Sequence, residues 1–239
     1  MLFVRALSLE TPPHQEHPFD IPALVGLKQL PLPTPVTFLV GENGSGKSTL
    51  IEAMAVAAGF GLDGGSKNLH FREEIPHTEL SPYLRLIRNP GRESDGFFLR
   101  AESFYNVASQ LDEMAQAEGR TGLRAYGGKF LHGQSHGESF LATVRNRFVG
   151  HGLYLLDEPE SALSPQHQLA LVYLMHQLAS TENSQFVVAT HSPILIACPG
   201  ATIYELSERG IHPCPYEDCH LVGFYRGFLQ NRHAYLRDL

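Results

Sequence analysis

Residues 41–48 read Gly41-Glu42-Asn43-Gly44-Ser45-Gly46-Lys47-Ser48, which fits the pattern G-x-x-x-x-G-K-[ST]. No other stretch limits the fold of this chain as tightly. Glycines at these spacings let the backbone curl until successive N–H groups point at one anion. A helix beginning at Lys47 turns the positive end of its dipole toward the same point. Lys47 has the length to reach the β- and γ-phosphates of a triphosphate, and the Ser48 hydroxyl is a ligand for Mg²⁺. Such a loop works between a strand and a helix, and the flanks supply both. Val36-Thr37-Phe38-Leu39-Val40 is apolar and β-branched, as a buried strand requires. Lys47 to about Ala58, closed by Gly59, reads as a helix.

A second chemical feature lies downstream. Leu153-Tyr154-Leu155-Leu156 is a continuous apolar strand that ends in Asp157-Glu158-Pro159. Beside a phosphate loop, an aspartate at a strand end holds Mg²⁺, directly or through water. A neighbouring carboxylate can orient and deprotonate the attacking water. Successive residues of a strand point to opposite sides, so one acid can face the metal and the other the γ-phosphate.

The rest of the chain continues this alternation. Met1 to Leu9 patterns as a strand, Phe97-Phe98-Leu99 starts another, and Phe186–Ala189 and Thr202–Leu206 are buried strands. Ser164-Pro165 caps a helix to about Ala179. A helix from Glu138 carries Phe140, Leu141, Val144 and Phe148 at spacings of three and four. Ser207 to Gly210 reads as a hairpin turn, and about His220 to Gln230 as a helix. Pro12 to Pro35 reads as an extended connection, 60–95 as loop-heavy, and 104–132 as a polar helix (Val107 to Ala117) plus a Gly-rich loop. The predicted fold is α/β, a mainly parallel sheet flanked by helices. One domain over 1–239 is expected, with its core in about 1–60 and 150–239 and a helical or mixed insertion at about 61–149.

Composition narrows the setting. The net charge of −7 gives no broad basic footprint for duplex DNA. With 43% hydrophobic and 18% charged residues, a packed core is affordable. No apolar run reaches the roughly 18–20 residues of a membrane span, and the first ten residues do not form a secretory signal. Three cysteines, an odd number, fit a reducing cytoplasm. Cys214-x₄-Cys219-His220 lacks the second ligand pair of a structural zinc site, so the cysteines are read as incidental. Gly137-Glu138-Ser139-Phe140-Leu141 lacks the second glycine of a nucleophile elbow.

Five motifs in order resemble the ATP-binding-cassette class of ATPases: the loop at 41–48, Gln134-Ser135-His136-Gly137-Glu138-Ser139, Asp157-Glu158, Ser161-Ala162-Leu163, and His191 in Ala189-Thr190-His191-Ser192-Pro193. More narrowly, the chain resembles small bacterial predicted ATPases of the AAA_21/AAA_23-like group, also through Phe97 to Phe104 and Tyr154 to Glu160. The resemblance implies a P-loop domain with ATP and Mg²⁺ as cofactors. Gly41, Glu42, Asn43, Gly44, Ser45, Gly46, Lys47, Ser48 and Thr49 would bind nucleotide, and Ser48 and Asp157 the metal. Ser135, Gly137 and Glu138 would meet the γ-phosphate from a second copy of the chain in a head-to-tail dimer. Glu158 would be the general base, with Lys47 and His191 as the other catalytic groups.

The departures matter. His136 replaces the first glycine of the usual L-S-G-G-Q signature, Glu138 its glutamine, and Ser164 the usual aspartate beyond Ser161-Ala162-Leu163. No glutamine marks a Q-loop. Glu102 is the candidate for that place and for the metal, and equally a surface carboxylate or a partner of Arg100. For the adenine contact, Phe19 lies at a suitable distance upstream, although a core phenylalanine is the stronger reading. These departures predict an autonomous cytoplasmic ATPase with an unknown effector. A membrane permease is the less expected partner, and a slow nucleotide-gated switch is a third reading. Nucleic acid contact is allowed but unsupported.

Overall fold

The computed structural model describes residues 2–10, 16–62, 64–66, 78–91, 93–102 and 136–237. Its spine is a seven-stranded sheet in the order β10-β9-β3-β8-β7-β6-β4. The strands are β3 (Val36–Gly41), β4 (Gly65–Ser66), β6 (Asp95–Arg100), β7 (Gly152–Asp157), β8 (Gln185–Ala189), β9 (Thr202–Ser207) and β10 (Gly210–Pro213). The central strands β9, β3, β8, β7 and β6 run parallel, while β10 and β4 close the two edges antiparallel. A second, antiparallel sheet has the order β2-β1-β5, from β1 (Val4–Leu9), β2 (Gln29–Pro31) and β5 (Leu84–Arg88).

The parallel strands are buried on both faces, which is why they read as unbroken apolar runs. Their alternation still sorts two cores. Val36, Phe38, Val40, Phe97, Leu99, Tyr154, Leu156, Phe186 and Val188 face one side. There they meet α2 (His136–Arg147), α3 (Pro165–Thr181) and α4 (His220–Gln230) through Phe140, Val144, Leu171, Met175 and Val222. Leu39, Phe98, Leu153, Leu155 and Val187 face the other, against α1 (Lys47–Ala58) and the small sheet. Each fully buried large side chain contributes about 1.5–3 kcal/mol. On the first face Tyr154 stacks between Phe148 and Phe186, with centroids 4.2 and 5.1 Å away, and its hydroxyl donates to Asp95 at 3.1 Å.

Two side chains fasten the sheets together, Tyr204 of β9, whose hydroxyl donates to the Pro31 carbonyl of β2 at 2.9 Å, and Gln185. Gln185, fully buried in β8, accepts from the N–H groups of Phe3 and Val4 at 2.9 Å each and donates to the Val4 carbonyl at 2.6 Å.

The helix predicted at Lys47–Ala58 is present with Gly59 as its left-handed C-cap. Ser164 caps α3 by accepting from the His167 N–H. The loop-heavy reading of 60–95 needs correction: β4 and β5 lie there, and β5 pairs with β1 over Ser8↔Arg85 and Leu9↔Leu84. Only Leu84 of β5 is buried, while Arg85 and Arg88 are exposed, so the strand carries no long apolar run to mark it. The extended reading of the Pro-rich stretch holds for β2, whereas residues 17–20 and 22–26 turn. The helix predicted at Val107–Ala117 lies outside the described residues. After β10, a short C-terminal helix α5 (Arg232–Tyr235) follows α4.

Candidate functional site

Three strand ends converge at the C-terminal edge of the large sheet. Leu39 of β3 and Asp157 of β7 both pair with Ala189 of β8, so the loop, the acidic pair and His191 leave the sheet at one level. The loop between β3 and α1 demands glycine at two of its positions. A Cβ on Gly41 would lie 2.5 Å from the Leu206 carbonyl oxygen and 2.7 Å from Ser45 Oγ. Gly46 has φ of 95°, and a Cβ there would lie 2.9 Å from Ile21 Cγ2.

Lys47 is buried and donates to the carbonyls of Gly41 and Glu42, each at 3.0 Å. Burial lowers its pKa, against the opposing pull of Glu158, Asp157 and Glu160. The Ser48 hydroxyl donates to Asp157 Oδ1 at 3.0 Å. Burial pushes the Asp157 carboxyl up to about 6, although the Ser48 bond and Arg100 favour its charged form.

Glu158 leaves β7 in a left-handed backbone conformation, φ 47° and ψ 50°, which costs a non-glycine residue about 1 kcal/mol or more. Its N–H donates to the Ala189 carbonyl at 2.9 Å. Its Oε1 stands 3.5 Å from Nε2 of His191. That ring nitrogen is buried and has no hydrogen-bond partner among the described residues. Burial first, and Lys47 second, lower the His191 pKa, which favours neutral imidazole at pH 7.

Two further residues belong to the site that motif reading leaves without a role. Glu160 accepts from the Thr190 hydroxyl at 2.7 Å and from the His191 N–H at 2.5 Å, holding the turn that presents His191. Burial raises its pKa against these bonds. Arg100, the last residue of β6, reaches Glu52 at 2.9 Å, Glu102 at 3.2 Å and Asp157 at 3.7 Å. The signal for both is present only as a charged residue next to a buried strand, and apart from Glu102 their partners are distant in sequence.

The remaining expected residues are placed as follows. Glu42, Asn43, Gly44 and Ser45 line a cleft of about 900 Å³ beside the loop, and Thr49 lies on α1. Glu102 is mostly exposed and paired with Arg100, which stands between it and Asp157. Gly137 and Glu138 fall in the first turn of α2. Ser135 lies outside the described residues. Phe19 is buried, with its ring edge-to-face on Tyr83 at 5.1 Å. Cys214 and Cys219 each donate to the Pro215 carbonyl at 3.4 Å.

The residues fit a metal-bound triphosphate. Two hard oxygen donors, Ser48 and Asp157, converge at 3.0 Å on the floor of the loop. Asp157 is a buried carboxylate that Arg100 compensates only in part, and the buried polar atoms Ser45 Oγ and His191 Nε2 lack hydrogen-bond partners among the described residues. Each gains from an anion with its cation bound above the loop.

Comparisons with known proteins agree with this geometry. A family model described as "AAA domain" matches residues 23–107, and one described as "AAA domain, putative AbiEii toxin, Type IV TA system" matches residues 139–197. The oligopeptide transport ATP-binding protein OppD of Escherichia coli is 26% identical over 187 residues, covering 66% of this chain and 53% of OppD. The thiamine import ATP-binding protein ThiQ of Photobacterium profundum is 28% identical over 167 residues, covering 65% of this chain and 67% of ThiQ. The chain thus spans about half the length of OppD. Among solved structures, cbiO1 of Clostridium perfringens, part of the ABC transporter complex cbiONQ, superposes with a TM-score of 0.54 at 16% identity over 99% of this chain and all of cbiO1. An ATP-bound bacterial Atm1-family ABC exporter gives 0.53 at 15% identity, covering 95% of this chain and 42% of the exporter. Motif order, sheet topology and these likenesses together show a P-loop α/β fold similar to the ATP-binding domains of ABC-type ATPases.

Proposed function

We propose that the chain binds ATP with Mg²⁺ and hydrolyses it, two copies pairing head to tail around two nucleotides. The observation that carries this reading is the gathering of Lys47, Ser48, Asp157, Glu158 and His191 around one loop from three level strand ends. Bound Mg²⁺ supplies neutralisation of the β- and γ-phosphate oxygens. Ser48 and Asp157 hold it, and Lys47 turns from its loop carbonyls to the phosphates. The Glu158 carboxylate takes the proton of the attacking water. Neutral His191 with its proton on Nε2 donates to the γ-phosphate as charge develops there. The N-terminus of α2, with Ser135 and the Gly137 N–H, completes the anion site of the opposite copy. Glu138 lies in the same turn. A place for Glu102 beside the metal requires it to leave Arg100.

ATP turnover per chain, measured across a dilution series, tests the pairing. It falls as the dimer dissociates; a constant value refutes a site completed in trans. Lys47→Ala is the control for the loop, and equal nucleotide binding by that variant and the wild type removes the assignment.

A second reading is an ATP-binding subunit of a transporter. The relatives named above are transport ATP-binding proteins, so they lend no support to the expectation against a permease. Among the described residues no helix is long and apolar enough to cross a membrane, so a membrane partner would be a separate chain or segment. Turnover measured with liposomes, DNA and RNA separates the transporter reading from a cytoplasmic ATPase acting on another effector.

A further inference from the structure

The phosphate end of the site fixes a direction. Asp157 and Glu158 leave β7 and His191 follows β8, and both strands lie on one side of β3 in the sheet. A triphosphate in the 41–48 loop with its γ-phosphate toward those groups runs its other end across β9, on the opposite side of β3. A cleft of about 900 Å³ runs to that side from the loop and His191. One wall is Pro22 and Ala23; the other is the β9–β10 hairpin, with Leu206 and His212, and the start of α4, with Leu221 and Phe224. Phe19 is unavailable for stacking because it is buried against Tyr83.

We propose that this cleft takes the nucleoside end of the bound nucleotide, with Phe224 as the surface on which the purine stacks. The inference rests on the ATP reading above and assigns the base contact to the C-terminal part of the chain. Phe224 is half exposed. Its ring is held edge-to-face by Tyr225 and Tyr235, with centroids 6.0 and 5.7 Å away. The helix that carries it is anchored on three counts. Cys219 and Val222 are buried, and the His220 N–H donates to the Glu205 carboxylate at 3.0 Å. A braced aromatic face beside an anion cradle has the form a base-stacking platform needs: a π-surface whose ordering cost is already met.

The test compares binding of MgATP and magnesium tripolyphosphate by calorimetry. Tripolyphosphate reports the loop without a base. In the wild type both bind, ATP the tighter. Phe224→Ala weakens ATP roughly ten- to hundred-fold, the range of one lost base stack, and leaves tripolyphosphate unchanged. Phe224→Trp restores ATP affinity. Because the chain has no tryptophan, that residue also becomes the sole indole reporter, quenched by MgATP and not by tripolyphosphate. Unchanged ATP binding by Phe224→Ala, equal weakening of both ligands, or an indole blind to ATP overturns the assignment of the cleft. Failure of the wild type to bind either ligand overturns the ATP reading itself.

Discussion

Asp157 is under strain of a measurable kind: its carboxyl is buried and its pKa is raised from 3.8 to about 6. Replacement by asparagine, which keeps the shape and the acceptor for Ser48, removes the charge. A shift of that size corresponds to ~3 kcal/mol of cost when the carboxylate is ionised in the folded chain. That cost is already net of the attraction of Arg100, 3.7 Å away, which favours the charged form. For a chain of 239 residues, at about 2–4 °C per kcal/mol, the melting temperature rises by about 6–12 °C. The sign follows from linkage. The folded state holds its proton more tightly, so wild-type stability from this group is fully present below the ordinary carboxylate pKa and is lost as pH rises through about 6. The advantage of Asp157→Asn is therefore absent near pH 3.5, grows between about pH 4 and 6, and is level above. Thermal unfolding in chelator without nucleotide, at pH values from 3.5 to 8, measures it. An asparagine variant no more stable than wild type at pH 8, or an advantage that shrinks as pH rises, refutes the reasoning. The same variant loses Mg²⁺-dependent turnover, which makes the acid a group kept for function at the expense of stability.

Other outcomes follow from particular contacts. Glu158→Gln lowers turnover by about 10²–10⁴-fold and leaves an ATP-stabilised dimer on gel filtration; full activity removes Glu158 as the base. Glu160→Ala frees the Thr190 hydroxyl and the His191 N–H, and is expected to lower kcat about ten- to hundred-fold while KM changes little; a loss confined to KM counts against the positioning role. Gln185→Leu strands the buried amides of Phe3 and Val4, at a cost of ~3–5 kcal/mol by urea unfolding; a loss below ~1 kcal/mol shows that water or rearrangement satisfies them.

Features that depend on neighbours in sequence were legible, and features that depend on distant partners were not. The loop at 41–48, α1 and the strand before it carry their instructions locally: glycine spacing, apolar run, left-handed Gly59. The acid pair is marked by the apolar strand it ends. By contrast, β5 is half solvated, and its Leu84-Arg85-Leu86-Ile87-Arg88 pattern gains meaning only when β1 lies beside it. β2 is three residues long and ends in Pro31, which donates no N–H to a ladder and suits an edge strand. Glu160 is visible as the second acid of Glu158-Pro159-Glu160, but its task is set by Thr190 and His191, about thirty residues on. The links from Arg100 to Glu52 and Asp157 require the fold.

The chemical groups are delivered by neighbouring rungs of a single parallel ladder, with Ala189 paired on one flank to Leu39 and on the other to Asp157. Deleting one residue from any of these strands would retract the group at its tip by about 3.3 Å and turn it to the opposite face. No side-chain adjustment recovers both errors. The connections beyond the tips carry no such constraint, so lineages of this fold are free to lengthen or replace what joins the strands while the count of residues within them stays fixed.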